Sequence, residues 1–302
     1  MMSPSPLEGG PGISAAVDSG DAEAVRRLAL QGAGLDQTDQ NGDTPLIHAV
    51  LAVNEYMVRL LLALGADPDV KNPQGETAYA ILSKDKPSSD CENAYEAWQH
   101  STAGGIQYDF ITCKLLREGV AAAKERIGRG GAPDSQDPKQ AGLLAEVCQA
   151  GLFAPAQELV GLGVPVDSVS RLYDGISPLM GACSVQFPEL AEFLIAKGAD
   201  VNAKDDKGKT PLMHAVWPSG RSWRRYQDCD VRLLDLLVKH GAAVDAANKE
   251  GYTALSLAAL IGCAPAVGFL LEHGAKAGLQ SVLKSAEKYP EVLAALRARG
   301  PG

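Results

Sequence analysis

Cysteine, histidine and paired carboxylates are the side chains from which a redox, metal or hydrolytic centre would be assembled, and this chain spreads them thinly. Its six cysteines, Cys91, Cys113, Cys148, Cys183, Cys229 and Cys263, stand at wide intervals without a C-x-x-C, and the five histidines do not cluster with them. Neither a zinc site nor a disulfide framework is predicted, and the cysteines read as the packed or half-exposed thiols of a reducing compartment. Asp205 and Asp206 could share acid–base work, but beside Gly208 they are turn formers and read as solvated turn residues. The glycine-rich run Gly128 to Gly131 follows a helical pattern instead of a strand, so no phosphate nest is expected there. G-x-S-x-G, H-E-x-x-H and G-x-x-x-x-G-K-[ST] are all absent. An enzyme would have to draw on Cys91, His100 or Cys229. The expectation is a non-catalytic chain with no metal and no cofactor.

The elements that carry these residues are organised by one stretch, Gly198 to Val216, GADVNAKDDKGKTPLMHAV. Gly198 suits the left-handed residue that closes a helix. Thr210 can cap a new helix, and Pro211 fits its first position, where a missing N–H costs nothing. The pattern recurs with a period of 33: Thr44 to Thr77, Ser177 to Thr210, Gly32 to Gly65 and Gly241 to Gly274. Such self-similarity marks a stack of short units, none of which buries its apolar stripe alone. His48 and His214 fall at equivalent places within T-P-L-x-H-A, and that equivalence argues for a structural role.

The G-A-D-x-N hairpin and the T-P-L-x-x-A helix start resemble the ankyrin repeat. That resemblance implies an all-α ankyrin-repeat solenoid of stacked helix-turn-helix units joined by β-hairpin-like turns, with about seven repeats. Repeats two, five, six and seven match well, and one, three and four depart from the pattern. In the family the histidine follows T-P-L directly and bonds the neighbouring hairpin; here it is displaced by one residue, which puts that bond in question. Leu194, Asp200, Val201 and Asn202 match the spacing of ankyrin repeats that resemble substrates of the asparaginyl hydroxylase, making Asn202 a candidate modification site. Ordinary hairpin sequence is the simpler account of the same residues.

Residues 1–11 read as a flexible amino terminus, 12–280 as the array and 281–302 as a capping helix and tail interrupted by Pro290. Undisturbed repeats place the helix-start Thr or Ser 21 residues before the closing Gly, whereas Thr77 to Gly119 spans 42 and Thr210 to Gly241 spans 31. The excess defines insertions at about 84–107 and 217–228, with an irregular junction at 120–137. A second register, in which GGAPD near Gly131 closes a degenerate extra repeat, stays open.

All three tryptophans, Trp98, Trp217 and Trp223, lie in the insertions, and Arg221, Arg224, Arg225 and Tyr226 accompany them. Aromatic and arginine side chains are enriched at binding hot spots, and the arginines would suit an acidic segment. Folding back to cover the solenoid's end is the other account of the tryptophans. The resemblance further implies binding through a concave face of hairpin tips and inner helices: Asp43, Gln74, Glu76, Asp174, Lys207, Lys209, Lys249 and Tyr252. The expected partner is a protein, and the chain is expected to be a monomer by itself. A dedicated inhibitor or immunity-type binder of one enzyme is the alternative, and an enzyme with its site between the insertions a third reading.

The net charge of -9 and pI near 5.1 argue against nucleic acid and membrane surfaces as partners. No secretory signal or spanning stretch is visible. The expected location is cytoplasmic, with nuclear the alternative in a eukaryote.

Overall fold

Thr44, Ser177, Thr210 and Thr253 are almost wholly buried, and each hydroxyl accepts the backbone N–H three residues on at 3.2–3.4 Å. Each therefore satisfies one of the donors that the first helical turn leaves without a partner. Pro45, Pro178 and Pro211 follow three of these caps at the first helical position. In the computed structural model these local choices define one helix after another. The structure describes residues 12–83, 102–131, 142–170, 174–217, 231–276, 282 and 288–299.

The chain divides into two compact units, residues 1–117 with 152–154, and residues 118–151 with 155–302. In the first, α1 (Ile13–Asp18), α3 (Pro45–Leu51) and α5 (Ala78–Ser83) form one row, while α2 (Ala22–Leu30) and α4 (Glu55–Leu64) pair in a second. Leu46, Ile47, Met57, Leu61 and Leu62 are fully buried between the rows. A long helix, α6 (Thr102–Gly128), follows.

In the second unit α7 (Leu143–Gln149), α9 (Pro178–Ser184), α11 (Pro211–Val216) and α13 (Ala254–Leu260) make the first row. The second row holds α10 (Pro188–Ala196), α12 (Arg232–Lys239) and α14 (Ala264–Glu272), of which α10 and α12 pack together and α14 packs on α15 (Pro290–Arg299); α8 (Phe153–Gly161) follows α7 in the chain, its first two residues belonging to the first unit. Leu144, Leu159, Leu179, Met180, Leu190 and Leu194 are its fully buried large residues. A Cβ at Gly181 would lie 2.8 Å from the Gln149 nitrogen, so the bare glycine sets how closely α9 approaches α7. The fold is an all-α ankyrin-type solenoid architecture. Among the described residues its only β pairing is two isolated bridges, Lys71 with Thr77 and Ala247 with Thr253.

The two helices of a repeat are joined by one recurrent turn. After α3, Val53 adopts φ 49°, its N–H donates to the Val50 carbonyl, and the Asn54 N–H reaches back to Ala49. The same pair of bonds closes α1 at Gly20 and Asp21, α9 at Gln186 and Phe187, and α13 at Gly262 and Cys263. This Schellman geometry satisfies terminal carbonyls and delivers the next residue as the cap of the following helix. Thus the Asp21 carboxylate accepts from Ala24, the Asn54 side chain from Met57, and the Cys263 sulfur from Ala266.

Three details differ from the sequence reading. First, α6 passes through Gly119 instead of ending there, and it begins at Thr102, inside the expected insertion. A Cβ at Gly119 would stand 3.2 Å from a Leu143 methyl, so this glycine gives packing room instead of a stop. Second, Pro290 opens α15 at its first position instead of interrupting a helix. Third, Cys263 is disulfide-bonded, whereas Cys148 and Cys183 are free thiols and, like Cys113, buried. The wide cysteine spacing gave no sign of that pairing. Burial alone pushes the Cys148 and Cys183 thiols far above their ordinary range, which leaves them inert.

Candidate binding surface

Four hairpins share one construction. Asp39, Asn72, Asp205 and Asn248 each accept, through side-chain Oδ1, the N–H groups two and four residues on, at 2.7–3.1 Å. Each also donates its own N–H to the carbonyl four residues on and accepts the N–H of the glycine three residues on. One short polar side chain thereby holds the whole tip, and the outward side chains take no part in that scaffold.

Tips of successive repeats touch within each unit. In the second unit the Asp206 N–H donates to the Asp174 carbonyl at 2.8 Å, and the Lys249 N–H to the Lys207 carbonyl at 3.0 Å. In the first unit Pro73 has no N–H to give, and it packs directly on Gly42, where an added Cβ would lie 2.3 Å from the proline ring. The Asn72 side chain donates to Asp43 at 3.4 Å. Glycine is required at Gly42 both by φ 83° and by that approach.

A second line of bonds runs along the G-[AV]-x-x-D/N segments. The carboxylates of Asp36, Asp167 and Asp245 accept the backbone N–H groups of Asp67, Asp200 and Lys276. Asn202 uses both ends of its amide, accepting from Ala243 at 2.8 Å and donating to the Gly241 carbonyl at 3.0 Å. The recurrence of Asp or Asn at these places was visible in the sequence, but its use as a rung between repeats was not.

Histidine ties the hairpins to the helices. His214 is buried, with Nδ1 3.0 Å from Ser184 Oγ of the preceding repeat and Nε2 3.0 Å from Asp205 Oδ2. The displaced histidine therefore does reach a hairpin, contrary to the doubt raised by its register. Asp205, expected to be solvated, is 6% exposed, whereas Asp206 is exposed as expected. Burial pushes the Asp205 carboxyl up, but the His214 bond and the Lys209 and Lys207 N–H groups outweigh it and hold the group below the usual carboxylate range. Although Ser184, His214 and Asp205 are the residue types of a hydrolytic triad, the serine is 1% exposed and cannot meet a substrate.

The equivalent His48 sits between two carboxylates, with Nδ1 2.9 Å from Asp18 and Nε2 3.4 Å from Asp39. Asp39 lies below its ordinary range, first through the Asp43 N–H and then through Asn41 and the histidine.

The expected surface residues separate as follows. Gln74, Lys207, Lys249 and Tyr252 are exposed, and Asp43, Glu76 and Lys209 are half-buried. Asp174, exposed and left-handed at φ 49°, pairs with Lys207 at 2.6 Å, which raises the lysine above its ordinary value. Trp217 is half-buried and ends α11, its N–H bonded to Met213. Trp98, Arg221, Trp223, Arg224, Arg225 and Tyr226 lie outside the described residues.

The Gly128–Gly131 run closes α6: the N–H groups of Gly130 and Gly131 are taken by the Ile127 and Arg126 carbonyls. The shallow depression there is lined by Ala122, Glu125, Arg126, Arg129 and Gly131, with Arg129 paired to Glu125. Among the described residues no His, Cys, Asp and Glu group is arranged to hold a metal ion, and no helix is long and apolar enough to cross a membrane.

Models of known families match the chain as ankyrin repeats in three copies over residues 13–88 and 144–223, and as a single ankyrin repeat over 207–249. It is 34% identical over 117 residues to a mouse B-cell lymphoma 3 protein homolog, covering 38% of this chain and 24% of that one. The human B-cell lymphoma 3 protein is 27% identical over 271 residues, covering 88% and 44% respectively. A Caenorhabditis elegans ankyrin repeat and KH domain-containing protein, mask-1, is 27% identical over 282 residues, covering 76% and 10%. The chain thus spans less than half the length of each of these relatives. The crystal structure of the ankyrin repeat domain of Bcl-3, described as a unique member of the IkappaB protein family, aligns with a TM-score of 0.41 at 23% identity, covering 96% of this chain and 99% of that one. With the family models matching more than half of its residues, the chain belongs to the ankyrin repeat family, whose repeats serve protein–protein interaction and are generally non-catalytic.

Proposed function

We propose that this chain is a non-catalytic module that binds a protein partner through its hairpin tips and inner helices. The observation that supports the reading is the division of labour at each tip. Asp39, Asn72, Asp205 and Asn248 hold the backbone, while Gln74, Lys207, Lys249 and Tyr252 stand outward on a preset frame. A turn backbone already held in place has little further freedom to lose on binding, which favours affinity. The acidic net charge of -9 supports a protein partner over nucleic acid or an anionic membrane surface.

The test is affinity capture with the intact chain and with a Lys207→Ala, Lys249→Ala, Tyr252→Ala variant, each checked for folding by circular dichroism. Loss of a partner from the folded variant is expected. A partner held equally by both would overturn the role of the tips.

The second reading, a dedicated inhibitor of one enzyme, draws on the placement of all three tryptophans in or at the edge of the insertions. It requires tight one-to-one binding that vanishes when residues 217–228 are removed and survives the tip variant.

A further inference from the structure

The inner-to-outer turn asks for a left-handed residue, and the repeats meet that demand with Gly20, Gly151 and Gly262. Two positions depart from glycine. Gln186 has a structural use for its side chain, because Nε2 donates to the Cys183 carbonyl and, at 2.6 Å, to the Ala215 carbonyl of the next repeat. Val53 has none: a β-branched side chain at φ 49° is a true backbone outlier, and it is 50% exposed. Leu51, two residues earlier at the end of α3, is 59% exposed. The equivalent pairs are Asp18 with Gly20, Gln149 with Gly151, Ser184 with Gln186 and Leu260 with Gly262; repeat seven also exposes its leucine, at 43%, so what sets repeat two apart is the second apolar group, Val53, beside Leu51. Strain of this kind, with no packing to offset it, points toward a contact made by the surface.

The surroundings supply the charge. Because α1 packs on α3, the preceding repeat sets Asp18, its carboxylate 57% exposed, and Asp21, also exposed, beside this turn. Glu55 follows in the first turn of α4, and the two cations there are already engaged: Arg59 pairs with Glu55 at 2.7 Å, and Arg26, almost wholly buried, donates to the Tyr56 hydroxyl at 3.0 Å and lies 3.9 Å from Glu23. His48, one turn before Leu51, is held between Asp18 and Asp39. An apolar knob with an acidic rim fits a segment that alternates apolar and basic residues.

We infer that the α3–α4 turn of repeat two, at the end of α3 away from the hairpin, docks a basic, amphipathic segment of a protein partner, with Leu51 and Val53 receiving its apolar side chains and Asp18 and Asp21 its cations. This surface is separate from the hairpin tips and stands or falls independently of them.

The probes are three labelled peptides, one alternating Leu and Lys, one Leu and Glu, and one Ser and Lys, titrated by fluorescence anisotropy into the full chain. The Leu/Lys peptide is expected to bind and to weaken about tenfold or more against Leu51→Ser, Val53→Gly. That variant relieves the left-handed strain, so it keeps its fold, verified by thermal melting. Amide resonances of Ala52 to Asn54 should shift on binding. A Lys207→Ala, Lys249→Ala variant should bind the peptide unchanged, which separates this site from the tips. Absence of binding, equal binding by the Leu51→Ser, Val53→Gly variant, or equal binding of the Leu/Glu or Ser/Lys peptide overturns the proposal.

Discussion

His48 and His214 occupy the same place in two repeats, yet the first unit keeps its histidine partly open between two carboxylates and the second buries it between a serine and a carboxylate. The tips differ in parallel. Backbone hydrogen bonds join neighbouring tips at Asp174 with Asp206 and at Lys207 with Lys249, whereas Pro73 meets Gly42 through van der Waals contact alone. One motif thus supports two ways of holding a repeat to the next: a buried polar bracket in the second unit, and shape with exposed charge in the first. The difference lies in residues outside the motif, since Ser184 against Asp18 and Asp206 against Pro73 decide which way is taken.

Breaking the bracket should have the largest effect. Asp205→Ala leaves His214 Nε2 and the Lys207 and Lys209 N–H groups without their acceptor in a buried setting, and it should lower unfolding free energy by about 3 kcal/mol. Asp39→Ala, the same change in the first unit, should cost clearly less, because water can replace the carboxylate. Equal losses in chemical denaturation would remove the distinction between the units.

The shape-based joint has its own weak point. Gly42→Ala forces a methyl into the Pro73 ring at a left-handed position, and a loss of about 2 kcal/mol is expected. Gly208→Ala meets its nearest neighbour, the Lys249 nitrogen, at 3.1 Å and should cost about 1 kcal/mol. The reverse order in melting experiments would mean that the tips of the first unit are looser than they are built.

Acid should weaken the buried bracket next. The Asp205 carboxyl titrates below its unfolded value, so its contribution is complete above the unfolded pKa, near 4, and is lost as pH falls through the depressed folded value. Stability measured from about pH 5 downward should fall less steeply in Asp205→Asn than in the intact chain. An unchanged acid limb would show that other carboxylates govern it.

The smallest effect concerns Pro73→Ala. It restores an N–H that can bond the facing tip, as at Asp206 and Lys249, but it also frees the unfolded chain, so stability should change by no more than about 0.5 kcal/mol. Hydrogen exchange decides the matter: protection of the new amide at position 73 means that the first unit can adopt the bonding of the second.

What the sequence made legible was whatever is settled within a few residues. Thr44, Thr210 and Thr253 announce their helices because a cap, a proline and a following apolar run act locally. Asp205 misled because its turn chemistry is local but its burial depends on the packing of His214, nine residues on in the next helix, and of Ser184 in the preceding repeat. Gly119 misled for the same reason: whether a glycine ends a helix or makes room within one depends on Leu143, in another helix. On the candidate surface, the exposed tip residues could be chosen by their position in the repeat. The Leu51 and Val53 turn could not, since only the φ of Val53 distinguishes it from an ordinary loop.

The Asx side chain that holds each hairpin has a consequence for how such a chain can be altered. Because Asp39, Asn72, Asp205 and Asn248 carry the turn by themselves, outward positions such as Gln74, Lys207, Lys249 and Glu250 can be randomised with little risk to folding. The protein is accordingly a ready framework for selection. A library confined to those positions, with the four Asx residues and their glycines kept fixed, would search recognition space while the architecture stays constant.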